Sequence, residues 1–228
     1  MGNQTIRLMI VDDHTMVRAG LRILLEESED ICISGEAANG LTAVELVEQI
    51  DPDVILMDLN MPLMDGIEAT RRIVAIRPDQ HIIVLTGMPD DERLFQAIQA
   101  GAQGCLEKTA PPEELVQTIR DVFSGKPCLS PGIAWRVLRG LAGADKPGML
   151  RDRLSERETQ ILCLMTQGKL DEEIARELVL TEVTIRTHIS RILAKLGLQN
   201  RVQAALYGLR SGLVSISETS DLFDVRLR

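Results

Sequence analysis

Residues 1–125 repeat one pattern five times: a short apolar run suited to a strand, then a longer segment with helical apolar spacing. The strand candidates are Ile6–Val11, Ile31–Glu36, Val54–Asp58, His81–Thr86 and Gly104–Glu107, with helix candidates over 15–28, 40–50, 66–76, 91–100 and 112–124. Pro52, Pro78, Pro89 and the pair Pro111-Pro112 punctuate the pattern just outside these elements. Strict alternation of strand and helix implies βαβ units and a parallel sheet, and right-handed crossovers put helices on both faces. The expectation is an α/β doubly wound, five-stranded parallel sheet over 1–125. Gly125-Lys126-Pro127 and Ser130-Pro131-Gly132 then break the rhythm, so 126–150 reads as a linker with a short helix over Ile133–Leu141. Beyond it the pattern is purely helical, over 155–167, 171–178, 182–196 and 200–210. That predicts an all-α four-helix domain over 151–214 and leaves 215–228 as an unassigned tail.

Charge divides along the same line. Residues 1–125 carry 9 Lys/Arg against 22 Asp/Glu, whereas residues 151–210 carry 10 against 8. Such asymmetry points to two domains with different partners, and only the second half suits a polyanion. Aromatic residues are 2% of the chain, which leaves aliphatic cores and excludes aromatic stacking platforms for single strands. Cys32, Cys105, Cys128 and Cys163 form no C-x-x-C pair, which argues against a zinc site or a disulfide framework and fits a reducing cytosol. No apolar stretch approaches membrane-spanning length, and no signal-peptide pattern is present, so the expectation is a cytoplasmic chain with no membrane partner.

In a parallel α/β sheet, ligands bind at the carboxyl ends of the strands. Here those ends carry Asp12-Asp13 (strand one), Asp58 (strand three), Thr86 (strand four) and Glu107-Lys108 (strand five). Carboxylates crowded at adjacent strand ends repel one another unless a cation intervenes, and a hard divalent ion such as Mg2+ takes such oxygens together with phosphate oxygens. Lys108 offers a compact positive charge, and Thr86 a hydroxyl, to a phosphoryl group. The chemistry that suits this set is attack of a carboxylate on activated phosphorus to give an acyl phosphate, with Asp58 as nucleophile. Taken alone, an Asp is more often a turn or cap residue; the joint pattern at successive strand ends is what points to a pocket.

Val11-Asp12-Asp13-His14, Asp58-Leu59-Asn60-Met61-Pro62, Asp65-Gly66, Leu85-Thr86-Gly87 and Lys108 resemble the motifs of the receiver domain of two-component signalling. The resemblance implies Mg2+ held by Asp12, Asp13, Asp58 and the backbone carbonyl of Asn60. It also implies phosphorylation of Asp58 by a sensor histidine kinase or a small phosphodonor, and movement of Thr86 toward the phosphoryl group. The family often has Tyr or Phe three residues before the lysine; this chain has Cys105, a small thiol that cannot sweep out the volume of a ring.

In the second half, Thr181 is a good N-cap and Gly197 a good helix terminator for the third helix. Ile174, Ile185, Ile189, Ile192, Leu193 and Leu196 form a core-facing stripe, leaving Arg186, Thr187, Ser190, Arg191 and Lys195 outward. Helix, short turn and polar-basic helix is the helix-turn-helix arrangement. The segment resembles a LuxR-type helix-turn-helix, and the whole chain resembles the NarL/FixJ subfamily of response regulators over roughly residues 5–214. The resemblance implies that Arg186, Thr187 and Ser190 face base edges of double-stranded DNA. It sets Thr184, Arg191 and Lys195 toward phosphates and makes the fourth helix a homodimer contact on activation. Asp171-Glu172-Glu173 and Val183 depart from the family's basic pattern; acids facing the DNA backbone predict weaker, more salt-sensitive or more dimer-dependent binding.

An enzyme is the competing class. A haloacid-dehalogenase-type phosphatase needs a second Asp two residues after the nucleophile, where this chain has Asn60, and a nicotinamide enzyme needs G-x-G-x-x-G where it has Asp12-Asp13-His14. The expectation is therefore not an enzyme but a phosphorylation-dependent DNA-binding transcriptional regulator. The alternatives are a receiver-containing interaction protein with weak or no DNA binding, and a phosphorylation-independent regulator.

Overall fold

The computed structural model describes residues 5–87, 90–126, 128–129 and 154–214. The expected short helix over Ile133–Leu141, most of the 126–150 linker and the 215–228 tail lie outside these residues. The chain divides into two compact units, Met1–Phe123 and Ser124–Arg228.

The first unit alternates β1 (Ile6–Val11), α1 (Thr15–Glu26), β2 (Ile31–Ala37), α2 (Gly40–Ile50), β3 (Val54–Asp58), α3 (Gly66–Ile76), β4 (His81–Thr86), α4 (Asp91–Ala100), β5 (Gly104–Glu107) and α5 (Pro112–Phe123). Every residue of β3 is buried, as is all of β4 except His81, because a parallel strand covered on both faces must be apolar throughout. The strand order is β2-β1-β3-β4-β5, with each described pairing parallel. A two-residue strand, β6 (Cys128–Leu129), extends the order beyond β5, where the sequence pattern places only linker; two residues are too few to show a strand period. The chain reverses its winding between β1 and β3, which makes their carboxyl ends the switch point of the sheet. Val11 lies opposite Met57, Asp58 opposite Leu85 and Thr86 opposite Glu107, so the functional residues sit at one level along the sheet edge.

Side-chain caps fix where several helices start. Asn39 accepts from the Thr42 amide, Asp65 from Glu68, and Asp90 from Glu92 and Arg93. Helix α1 stops at Glu26, short of the expected residue 28, because the Ser28 amide turns back to the Leu25 carbonyl at 3.1 Å.

The second unit contains α6 (Glu156–Thr166), α7 (Asp171–Leu178), α8 (Glu182–Leu196) and α9 (Arg201–Arg210). Its core gathers Ile161, Leu162, Met165, Ile174, Ile185, Ile192 and Leu196, with Ile189 and Leu193 packed at the margin. Thr181 caps α8 by accepting from the Thr184 amide at 3.2 Å, and Gly197 ends it at φ 65°. Among the described residues, no helix is long and apolar enough to cross a membrane.

Gly66 ties this scaffold to the pocket. A Cβ there would stand 2.0 Å from the Asp58 backbone oxygen, a contact that no side-chain adjustment relieves. Gly66→Ala is expected to lower the stability of the first unit by about 1–3 kcal/mol, measured by urea unfolding; an unchanged midpoint counts against this packing.

Candidate functional site: an acidic pocket and an exposed helix face

Asp12 follows β1, Asp58 ends β3 and Lys108 follows β5. The Lys108 Nζ lies 2.5 Å from Asp12 Oδ2 and 3.0 Å from Asp58 Oδ1, so one ammonium bridges two carboxylates from different strands. Asp12 is fully buried and Asp58 nearly so. Burial pushes the Asp58 carboxyl above its ordinary value, Lys108 opposes that, and the charges of Asp12 and Asp13 add to it. For Lys108, burial works against the ammonium, but its hydrogen bonds to Asp12 and Asp58 and their charges prevail, and it is held more basic than usual.

The loops around these groups are tethered. Arg18 Nη1 donates to the Asp12 carbonyl at 2.7 Å, and Arg93 Nη2 donates to the Leu59 carbonyl at 2.9 Å. Thr86 is buried at the end of β4, and its carbonyl accepts from the Lys108 amide at 2.8 Å. Asn60 lies exposed in the bend after β3. Cys105 is buried in β5, opposite Val84.

Asp12, Asp13 and His14 have ligand atoms within 4.8 Å of one another, whereas Asp58 is joined to Asp12 through Lys108. His14, directly after the acidic pair, is a residue to which the sequence pattern assigns no role. Its amide donates to Asp12 Oδ1 at 2.9 Å, and its ring Nδ1 stands 2.7 Å from Asp13 Oδ1. Two carboxylates with ligand oxygens this close together at one strand end fit a hard cation, which prefers oxygen ligands. A surface cleft lined by Pro52, Arg77, Pro78, His81 and Phe123 opens elsewhere and contains none of the predicted site residues.

On α8, Arg186, Thr187, Ser190 and Arg191 are exposed and Thr184 is half-buried. Thr184 is engaged with Thr181 (Oγ1 to Oγ1, 2.9 Å), and Thr187 Oγ1 donates to the Val183 carbonyl at 2.9 Å. Lys195 has a partner that spacing alone did not reveal: its Nζ donates to both oxygens of Glu158, at 2.8 and 2.7 Å. Glu158 is buried on α6, where it also accepts from the Ser155 amide and completes a capping box. The three acids of α7 are likewise occupied within the domain. Asp171 pairs with Arg201 at 2.5 Å, Glu172 with Arg176 at 2.6 Å, and Glu173 accepts from the Leu170 amide at 2.7 Å. Each therefore has a partner within the helical domain.

A switch-point acidic pocket on one unit and a helix-turn-helix on the other define the class: a receiver joined to a DNA-binding domain. Residues 8–120 match the response regulator receiver domain, and residues 152–207 match the bacterial regulatory proteins of the luxR family. The chain is 44% identical over 210 residues to the transcriptional regulatory protein LiaR of Bacillus subtilis, covering 92% of this chain and 100% of that one. It is 35% identical to the response regulator protein VraR of Staphylococcus aureus, over 92% and 99% of the two chains. Among solved structures, the response regulator ChrA of a heme-sensing two-component system aligns with TM-score 0.52 at 32% identity, covering 92% and 99%. RcsB of Salmonella typhimurium aligns with TM-score 0.56 at 28% identity, covering 90% and 98%. The chain belongs to the two-component response regulators that carry a LuxR-type DNA-binding domain, and it is a transcriptional regulator of that family.

The Glu158–Lys195 pair yields a pH dependence. Its hydrogen bonds with Lys195 and with the Ser155 amide hold the Glu158 carboxyl down at about 2, against an ordinary 4.5. A carboxyl harder to protonate when folded stabilises the fold fully above pH 4.5, loses that contribution as pH falls, and has none left below about 2. Glu158→Gln is expected to cost the helical unit about 1–2 kcal/mol at neutral pH, the full shift being discounted for screening at the exposed Lys195, and to converge with wild type near pH 2. Denaturant unfolding across that range measures it, and a pH-independent gap contradicts it.

Proposed function

We propose that Asp58 is the phosphoacceptor, with Lys108 and Thr86 as the groups that receive the phosphoryl oxygens. The observation that carries this reading is the Lys108 ammonium lying between Asp12 and Asp58 at a buried switch point. A carboxylate oxygen of Asp58 attacks phosphorus. The bond from phosphorus to the donor's leaving atom, a kinase histidine nitrogen or the oxygen of an acyl phosphate, breaks, and its electron pair leaves with that atom. The product is an aspartyl phosphate. Asp12, Asp13, Asp58 and the Asn60 carbonyl would hold Mg2+, which supplies charge neutralisation for the transferring group. Lys108 then exchanges its Asp58 contact for a phosphoryl oxygen, and Thr86 donates its hydroxyl to another.

The partners in this reading are a sensor histidine kinase, duplex DNA and a second copy of the chain on activation. Arg186, Thr187 and Ser190 meet base edges, while Thr184, Arg191 and Lys195 lie along phosphates; for Lys195 this requires sharing its ammonium with Glu158. The chain acts in the cytoplasm as a regulator and turns over no substrate of its own. Its working parts are a receiver over 1–125, a linker over 126–150 and a DNA-binding domain over 151–214. A population shift of a few kcal/mol between inactive and dimeric states suffices to couple them.

The test is acetyl phosphate with Mg2+ added to the full chain, read by intact mass and by sedimentation. Wild type is expected to gain one phosphoryl group and to dimerise, whereas Asp58→Ala does neither. An identical response of Asp58→Ala overturns the assignment.

A further inference from the structure

Arg186, on the exposed face of α8, is held from two sides. Its Nε lies 3.5 Å from Asp171 Oδ2, and its Nη2 donates to Glu182 Oε2 at 3.4 Å. Glu182 sits one turn back on the same helix, the ordinary i,i+4 arrangement. Asp171 belongs to α7 and is itself anchored. Its other oxygen pairs with Arg201 Nη1 at 2.5 Å, and Arg201, whose side chain is 13% exposed, also donates to the Lys169 carbonyl. One carboxylate oxygen is therefore fixed by α9 while the other is offered to the helix that carries Arg186.

We propose that Asp171, together with Glu182, is a specificity-determining positioning residue that sets the Arg186 guanidinium to read a guanine edge in the major groove. A guanidinium carries five N–H donors in a rigid plane. With Nε 3.5 Å from the Asp171 carboxylate and one Nη2 hydrogen given to Glu182, the donors at the far end of the fork are two on Nη1 and one on Nη2. That end of the fork has the spacing that meets guanine O6 and N7 together, the commonest arginine contact in direct readout. The recognition helix presents its N-terminal residues to base edges, and Arg186 lies within its first two turns.

The two acids act in a second way. They offset the arginine's charge, which weakens sequence-independent attraction to phosphates, while the directional contact to the base survives. Both effects raise the ratio of specific to non-specific binding. Each contact is solvent-exposed on the Arg186 side, so each acid contributes a modest factor, about two- to fivefold. Arg186 itself carries the whole contact to that guanine.

This inference rests on the reading that α8 enters DNA, and the experiment separates the two. The acetyl-phosphate-treated full chain selects from a pool of duplexes randomised across the binding window, and the bound fraction is sequenced. Wild type is expected to show a guanine preference at one position per half-site that Arg186→Ala abolishes. In Asp171→Asn and in Glu182→Gln that preference falls about threefold at that position alone, and affinity for unrelated duplex rises. Glu182 touches Arg186 without touching Arg201, so Glu182→Gln keeps the test intact if Asp171→Asn unfolds. An Arg186-dependent base other than guanine overturns the inference. So does an undiminished preference in Glu182→Gln, or a uniform loss across all positions in both acid variants. If wild type selects no sequence at all, the DNA-binding reading fails, and the inference with it.

Discussion

One ammonium between two carboxylates sets the terms for the receiver unit. Asp12 and Asp58 leave β1 and β3 with almost no exposure, and two buried anions at that spacing repel strongly in a medium that screens poorly. Lys108, from the end of β5, answers both. Removing one partner of such a buried group leaves uncompensated charge, which costs several kcal/mol; the three strand ends must therefore stay in register. The sheet supplies that register through the Asp58–Leu85 and Thr86–Glu107 pairings, and Arg18 and Arg93 hold the loops by their backbone carbonyls.

The helical unit solves a different problem with similar means. Its helices are short and its aliphatic core is small, and their relative placement is reinforced by ion pairs at helix ends. Glu158 caps α6 and reaches the last turn of α8 through Lys195. Asp171 opens α7 and reaches the first residue of α9 through Arg201. A carboxylate at a helix start favours the helix dipole, and when it also captures a cation from another helix, it fixes the angle between the two. The face of α8 that carries Arg186, Thr187 and Ser190 is oriented by the core beneath it and by these pairs.

Much of this was legible before any coordinates. The boundaries of β1, β3, β4 and β5 follow from apolar runs ending in polar residues, and those of α3, α7 and α8 from caps and punctuation, since both signals are local. The acidic pocket was legible because parallel topology converts strand ends into neighbours. His14 was within reach too, as the residue next to the Asp pair. By contrast, β6 has only two residues and carries no periodic signal, and the link from Lys195 to Glu158 spans 37 positions. Helical spacing places Lys195 on the outward face; it cannot show that a buried carboxylate lies within reach.

The amino-acid sequence by itself determined the two-part architecture, the α/β and all-α classes, and which residues stand at the strand ends and on the outward face of α8. These depend on hydrophobic period, caps and turn chemistry, which act over a few residues. Only the tertiary structure decided which charges meet: Lys108 with both Asp12 and Asp58, Lys195 with Glu158, and Asp171 with Arg201 and Arg186. Charge pairing depends on distances of a few ångströms between segments far apart in the chain, and those distances are set by how helices and strands pack.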